Sequence, residues 1–309
     1  MHRLTRPRVE DAAVIFELIS AYDTSVIGAP DTTLDDVADD LSEPGCDLDS
    51  DSWTGYDGDG RLVSYAFACR KGDSDLVMVD VVVRPGAEGI EGDLWPLVLD
   101  RARELAAEKG HAQATAEIGI YRDDEAKRRL VTDLGFASAT SFHRMRIDFD
   151  GPVKEPEPLP GVTLETGVTD EVRRAAHAVQ QEGFAQHFGF VPVDYDHWFE
   201  RRDAKSTHDW AQLTLARVDG EPAAMLQSSN EFVPDEDCGY VGWLAVLPKF
   251  RGRGLGGHLL RRAFAQDAER GRVGTILHVD SNNVTPALGL YTSAGMRPVL
   301  VMDAWRRTA

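Results

Sequence analysis

Cysteine is scarce in this chain of 309 residues. There are three, Cys46, Cys69 and Cys238, and none forms a CxxC pair. A disulfide scaffold is therefore excluded, and the odd count predicts reduced thiols. No cluster of His, Cys and Asp has metal-ligand spacing, so no metal is expected. Long hydrophobic runs are also lacking: none approaches the ~18 residues that a membrane-spanning helix needs. The opening stretch, Met1 to Glu10, is charged and has no apolar core, which predicts no secretory signal and a cytoplasmic protein. Positive charge is short as well, with 33 Lys+Arg against 52 Asp+Glu. No broad basic face is available to displace phosphate counterions, so nucleic acid is excluded as a partner.

The apolar and charged content, 42% and 28%, is that of an ordinary soluble globular protein. At roughly 150 residues per domain the length suggests two domains. The net charge of −19 is uneven. Residues 1–150 hold 31 acids and 16 Lys+Arg, whereas residues 151–309 hold 21 and 17.

Four prolines in nine residues, between Pro152 and Pro160, cannot continue a helix or a central strand. Residues 151–161 read as an extended linker. Landmarks on its two sides repeat at offsets of 159 to 161: Asp11 and Asp170, Gly60 and Gly220, Gly110 and Gly271, Gly135 and Gly295. The chain thus reads as two copies of one fold. In the second copy, Val162–Thr166 alternates as a strand, and Asp170–Phe188 and Tyr195–Asp203 have helical spacing. Asp170 is expected to cap the first of these helices. A hairpin follows, Ala211–Val218 and Pro222–Phe232, turning at Asp219-Gly220. Tyr240–Val246 is a continuous apolar run and reads as a buried strand, Gly254–Arg270 as a long helix. Gly274–Val279 (strand), Pro286–Ala294 (helix) and Pro298–Met302 (strand) complete the order. The first copy repeats it, with Leu76–Val83 as the apolar strand and Leu94–Glu108 as the long helix capped by Asp93. The expected class is α/β (mixed α+β), each copy a mixed central sheet flanked by helices.

The strongest local signal lies where that apolar strand enters its helix: Leu244, Ala245, Val246, then Arg251, Gly252, Arg253, Gly254, Leu255, Gly256 and Gly257. A buried strand, a glycine-rich turn and a helix start expose backbone N–H groups and the positive end of a helix dipole together. Two arginines add charge. Such a turn is an anion site, best suited to a phosphate or pyrophosphate. GxxxxGK[ST] is absent, which excludes a Walker loop, and this strand comes late in its domain, unlike the first strand that carries a standard dinucleotide fingerprint.

Arg251-Gly-Arg-Gly254-Leu-Gly256 resembles the acetyl-CoA signature [QR]xxGx[GA] of the GNAT N-acetyltransferases. A second block, Asn283 through Ala287, Leu290, Tyr291, Gly295 and Met296, is similar to that family's Asn-x-x-x-Ala-x-x-Leu-Tyr-x-x-x-Gly-Phe. Both copies fit the family's layout, and the tandem arrangement resembles its mycothiol synthase group. The resemblance implies a transferase using acetyl-CoA as cosubstrate. Backbone groups of Leu244, Ala245 and Val246 would hold the acetyl carbonyl and pantetheine arm, and Arg251–Gly257 the pyrophosphate. Asn283 would meet the pantetheine side. Tyr291 would act as general acid for the departing thiolate. Where the mycothiol synthase group carries a Glu at the start of the apolar strand, this chain has Tyr240, preceded by Gly239. The general base is therefore open among Tyr240, Asp237, Glu236 and Glu231.

The first two helices of such a fold wall the acceptor cleft. They place Gln181, Glu182, Phe184, His187, Phe188, Phe190 and Trp198 there, with Glu182, His187 and Trp198 as the substrate-binding candidates. In the first copy the loop turns acidic, with Glu88, Glu91 and Asp93 in place of arginines, and Val131 stands at the Tyr291 position and Asp123 at the Asn283 position. That predicts a degenerate GNAT-like domain at 1–150 and a catalytic one at 162–309. The expected acceptor is a primary amine on a small molecule, such as an amino sugar, an antibiotic or a thiol precursor. Protein or peptide acetylation and non-catalytic acyl-CoA binding are the other readings. A monomer or homodimer without membrane contact is expected.

Overall fold

The computed structural model describes residues 3–43, 45–281 and 287–309. The chain folds into two compact units. One holds residues 1–141 with 302–309, the other residues 142–301.

In the first unit, β1 (Arg3–Thr5), α1 (Ala12–Ile27), α2 (Leu34–Leu41), α3 (Leu48–Asp51), β2 (Ser52–Tyr56), β3 (Leu62–Arg70), β4 (Leu76–Val83), α4 (Glu91–Ala107), β5 (Thr115–Tyr121) and α5 (Glu125–Asp133) follow in order. β6 (Ala137–Asp148) then leads into the second unit. There β7 (Val162–Thr166), α6 (Asp170–Phe184), α7 (Tyr195–Asp203), β8 (Leu213–Val218), β9 (Glu221–Ser229), α8 (Val233–Glu236), β10 (Cys238–Val246), α9 (Leu255–Glu269), β11 (Gly274–Asp280) and α10 (Ala287–Ser293) repeat the series. β12 (Arg297–Thr308) returns to the first unit. The two copies expected from the sequence are thus two tandem domains of one mixed α/β design.

Each unit holds a six-stranded sheet of the same order and sense. In the first unit β1, β2, β3 and β4 pair antiparallel, β4 pairs β5 in parallel, and β5 pairs antiparallel with residues 302–308 of β12. In the second, β7 to β10 pair antiparallel, β10 pairs β11 in parallel, and β11 pairs antiparallel with residues 142–148 of β6. The closing strands are exchanged: each sheet is completed by residues from the other half of the sequence. Boundaries read at 150 and 162 therefore differ from the compact units, which change over at 141/142 and 301/302. The exchanged strands carry core side chains with them. Met145 is fully buried in the second unit's core, and Trp305 packs in the core of the first. Arg306 Nε donates to Glu117 Oε2 (2.6 Å), tying β12 to β5.

The buried strands are those with unbroken apolar runs. Val77, Val79 and Val81 of β4 face α4, whose Leu94, Val98, Ala102 and Leu105 return at helical spacing. Some ends differ from the sequence reading. Thr169, not Asp170, caps α6, its side chain accepting from Val172 N–H. The helix stops at Phe184, because the Phe184 carbonyl accepts from His187 N–H in a turn. α4 starts at Glu91, directly from a short 3-10 turn over Glu88–Ile90, so Asp93 lies in its first turn and is not its cap. β12 runs on to Thr308 because residues 302–308 pair with β5. Among the described residues no helix is long and apolar enough to cross a membrane.

The expectation of three reduced thiols is overturned. Cys46 and Cys69 form a disulfide with Cα atoms 5.6 Å apart, closing a loop across 23 positions. An odd count leaves one cysteine over and does not forbid a pair, and the segment between α2 and α3 brings Cys46 to Cys69 near the end of β3. Cys238 is the remaining thiol, buried and pushed up to about 11 by that burial, so it is an inert core group. Loop closure of this length is worth about 3 kcal/mol. Urea unfolding with and without reductant should differ by that amount. Three free thiols in an unreduced, denatured sample would contradict the bond.

Candidate active site

The second unit opens where two parallel strands part. β10 and β11 stay in register from Cys238–Gly274 to Val241–Leu277 and no further. β10 continues along β9 to Val246, while β11 continues along β6 to Asp280. Beyond Val241, the edge of β10 that faces β11 thus leaves the ladder. The pairing with β9 slips at Gly242, a bulge between Val241 and Trp243. Bulges of this kind re-aim backbone groups and are common beside active sites. From the opposite face α6 approaches closely: a Cβ added at Gly183 would come within 2.9 Å of the Ala245 Cβ.

β10 then runs through a short turn at Pro248–Phe250 into the glycine-rich loop. Gly252 (φ 77°) and Gly254 (φ 79°) both take the left-handed conformation that a side chain disfavours. Gly254 caps α9, and the helix's first hydrogen bond is His258 N–H to the Gly254 carbonyl (2.9 Å). The N–H groups of Leu255, Gly256 and Gly257 therefore have no intrahelical partner. Gly256 and Gly257 let Leu290 of α10 pack against this turn, with added Cβ atoms 3.4 Å from its side chain. Arg251 donates from Nε to the Val246 carbonyl (3.1 Å), and Arg253 lies 5.4 Å from the Phe250 ring centre. Both are exposed, and neither has a carboxylate partner among the described residues.

Tyr291 stands on α10, buried, and burial alone pushes its hydroxyl up to about 12. Among the described residues that hydroxyl has no hydrogen-bond partner. Asn283 lies outside the described residues.

A polar chain crosses the sheet at Tyr240. The Tyr240 hydroxyl is 3.0 Å from His278 Nδ1, and Arg144 Nε donates to His278 Nε2 (3.2 Å). Arg144 in turn pairs with Glu236 (3.4 Å) and covers the Phe232 ring at 4.6 Å. His278 is exposed at the sheet face, yet desolvation there, with Arg144 adding, pulls it down to about 3. It is neutral at pH 7. A guanidinium cannot accept, so Nε2 is the bare nitrogen and Nδ1 carries the proton. Nδ1–H therefore donates to Tyr240 oxygen, leaving the Tyr240 proton free to point elsewhere. Burial also raises the Tyr240 hydroxyl well above its ordinary value. Tyr240 in this setting is a donor. Asp237 is exposed and in the left-handed conformation (φ 50°) at the end of α8, a turn residue at the far end of β10 from the loop.

The wall built by α6 and α7 is part site and part core. His187 is half-buried, packs on Phe184 (4.4 Å between ring centres) and feels both Asp280 and Arg251, which places it near the mouth between the parted strands. Phe184 meets Trp243 edge-on at 4.8 Å, and Phe190 at 6.0 Å. Phe188 lies 6.4 Å from Phe142. Gln181 accepts from Val193 N–H (3.1 Å), and Glu182 is exposed. Trp198 does not reach a ligand. It is 1% exposed, hydrogen-bonded to Gln180 and packed against Tyr195, His177 and Trp210. Its apolar bulk is consumed by the core.

Sequence reading missed His278, Arg202, Gln227 and Ser229. Gln227 Oε1 and Ser229 Oγ are buried without a hydrogen-bond partner among the described residues. They are the register partners of Trp243 and Tyr240. The one signal for His278 is a histidine inside the otherwise apolar run Ile276–Val279. Among the described residues no group of three or more His, Cys, Asp and Glu is placed to hold a metal ion.

Residues 174–296 match the model of the acetyltransferase (GNAT) family. Curated relatives named mycothiol acetyltransferase include one from Thermobispora bispora, 29% identical over 261 residues, covering 82% of each chain. Another, from Frankia casuarinae, is 29% identical over 290 residues, covering 89% of this chain and 78% of the relative. Among solved structures, a GCN5-related N-acetyltransferase from Sphaerobacter thermophilus shares the fold with a TM-score of 0.81 at 24% identity, over 99% of this chain and 95% of that one. A tandem GNAT protein from the clavulanic acid biosynthesis pathway gives 0.76 at 18% identity, over 100% and 98%. The repeated mixed sheet is the fold of tandem GNAT structures; residues 174–296, with the loop between β10 and α9, carry a GNAT acetyltransferase domain, and the chain is an N-acetyltransferase.

Proposed function

We propose that the second unit transfers acetyl from acetyl-CoA to the primary amine of a small molecule by direct attack on the thioester. The observation that carries this reading is the parting of β10 from β11 directly upstream of the arginine- and glycine-rich helix start. An extended pantetheine arm lies along the freed edge at Leu244–Val246, and the pyrophosphate sits on the N–H groups of Leu255–Gly257 with Arg251 and Arg253 beside it. The freed amides polarise the acetyl carbonyl, and the amine attacks its carbon. The C–S bond then breaks, and Tyr291 gives its proton to the CoA thiolate. A water held by the orphaned Gln227 Oε1 and Ser229 Oγ takes the proton that the amine sheds. Tyr240, fixed as a donor by His278, holds an oxygen of the acceptor. The relatives' name keeps a thiol precursor among the candidate acceptors.

The first unit serves as a scaffold. β4 parts from β5 after Met78–Glu117, but Asp80, just past that point, is tied to Lys127 Nζ (2.6 Å). Lys127 also covers the Tyr22 ring, and Tyr22 donates to Asp124 (2.7 Å). The turn's own acid, Glu88, is exposed and accepts from Gly86 N–H (2.7 Å), so it occupies an amide of the turn. Val131, at the place of Tyr291, has no proton to give.

Release of free CoA thiol, followed with a panel of primary amines, tests the reaction, and calorimetry with acetyl-CoA should return one equivalent per chain. Binding without turnover on any amine or peptide would leave only an acyl-CoA-binding protein. Two equivalents would remove the scaffold role of the first unit.

A further inference from the structure

Arg202 on α7 is a cation that neither the core nor acetyl transfer explains. Its guanidinium carbon lies 4.4 Å from the Trp198 ring centre and 5.6 Å from that of Trp243. Its hydrogen bonds go to two neutral acceptors, the Trp198 carbonyl (3.2 Å) and Gln180 Oε1 (3.4 Å). Among the described residues no carboxylate pairs with it, and the charge that acts on it is a second cation, Arg201. The nearby imidazoles supply no anion either. His177 and His208 are both pulled down by desolvation, His208 to about 4, with Arg202 contributing in each case. Desolvation lowers Arg202 itself to about 9, which still leaves it charged at pH 7.

A half-buried, desolvated charge without a counter-charge is costly, and stacking on two indoles recovers only part of that cost. Its place is informative. Trp243, which Arg202 covers, is the residue next to the Gly242 bulge and directly precedes the freed edge at Leu244–Val246. Trp243's partner across the ladder is Gln227, whose Oε1 is an orphaned acceptor. One side of a single indole thus meets a positive charge without a counter-charge, and its ladder neighbour holds the acceptor assigned above to the proton-taking water.

We propose that Arg202 is the acceptor-binding cation of the second unit: the amine acetylated here carries an oxyanion, a carboxylate or a phosphate, which pairs with the Arg202 guanidinium beside Trp243. The proposal rests on the acetyl-transfer reading above and adds the substrate class to it. A planar guanidinium suits both oxyanions, because each offers two oxygens to its paired N–H groups.

The test uses the full chain and matched amines: amino acids against their carboxamides, and amino-sugar phosphates against the unphosphorylated sugars. CoA-thiol release should favour the anionic member of at least one set by about 10-fold or more in kcat/KM, and the set that shows it identifies the oxyanion. Arg202→Met should erase that preference through KM, and Arg202→Lys should restore part of it. A melting curve and acetyl-CoA binding like those of the parent chain confirm that both variants are folded. Equal rates within every pair, or a preference that survives in Arg202→Met, overturn the proposal. If no amine turns over, the acetyl-transfer reading fails separately. Quenching of tryptophan fluorescence by the anionic members alone, lost in Arg202→Met, would then still support the anion site, and no such quenching would refute it.

Discussion

Replacing Tyr291 with Phe should lower kcat about 100- to 1,000-fold at pH 7 while leaving the KM for acetyl-CoA within a few-fold of the parent value. Protonation of a leaving group by a positioned side chain contributes about 10²–10⁴-fold, or roughly 3–5 kcal/mol of barrier. The substitution removes one oxygen and keeps the ring that α10 buries, so the core is preserved. The hydroxyl has no hydrogen-bond partner among the described residues, so its loss orphans none of them. Burial pushes that hydroxyl up to about 12. It therefore remains a proton donor throughout the neutral and mildly alkaline range, and its deprotonation takes no activity away below about pH 11. The sign for stability is the reverse of an ion pair's. The folded state holds this proton more tightly than the unfolded chain, so stability falls as pH rises from about 10 through 12. A kcat within about threefold of the parent chain would sink the general-acid role.

Gly254→Glu should raise the Kd for acetyl-CoA about 100-fold, read by calorimetry. Two effects combine. Gly254 has φ 79°, where a side chain costs about 1–2 kcal/mol. The new carboxylate also stands at the start of α9, among the N–H groups that would take the pyrophosphate. There it competes for the helix dipole and repels the ligand by about 1 kcal/mol or more for each nearby phosphate charge. Gly254→Ala separates the two, because it carries the strain without the charge. It should weaken binding far less than Glu does. Unchanged acetyl-CoA affinity in Gly254→Glu would mean that the pyrophosphate lies elsewhere.

The loop was legible in the sequence because its chemistry is contiguous: one strand, one turn and one helix start, with glycines where the backbone takes positive φ. The repeat was legible for the same reason, since turns and helix ends carry their own residue types at a fixed offset. Arg202 and His278 were not. Arg202 becomes notable through what it lacks, a counter-charge, and through its place over the rings of Trp198 and Trp243, which only the fold brings together. His278 acquires a fixed tautomer only through Arg144, a residue 134 positions away, by the register of β6 on β11. Trp198 failed as a substrate residue because an aromatic at helical spacing reads alike whether it lines a cleft or fills a core. The disulfide was hidden because pairing depends on a tertiary approach that cysteine spacing does not encode. Nor does alternation name a strand's partner. β6 and β12 each look like the natural close of their own copy, and each pairs in the other.

That exchange sets an order on how the molecule is made. β6 is synthesised well before the sheet it completes, so the second unit's closing strand is waiting when β11 emerges from the ribosome. The first unit has the opposite schedule. Its β5 edge stays open, with Ile118 and Ile120 among its buried residues, until residues 302–308 arrive about 180 positions later. Through most of its synthesis the chain therefore carries an unfinished sheet. Separating the halves at the proline-rich linker would yield two open-edged fragments, each holding the strand that the other one needs.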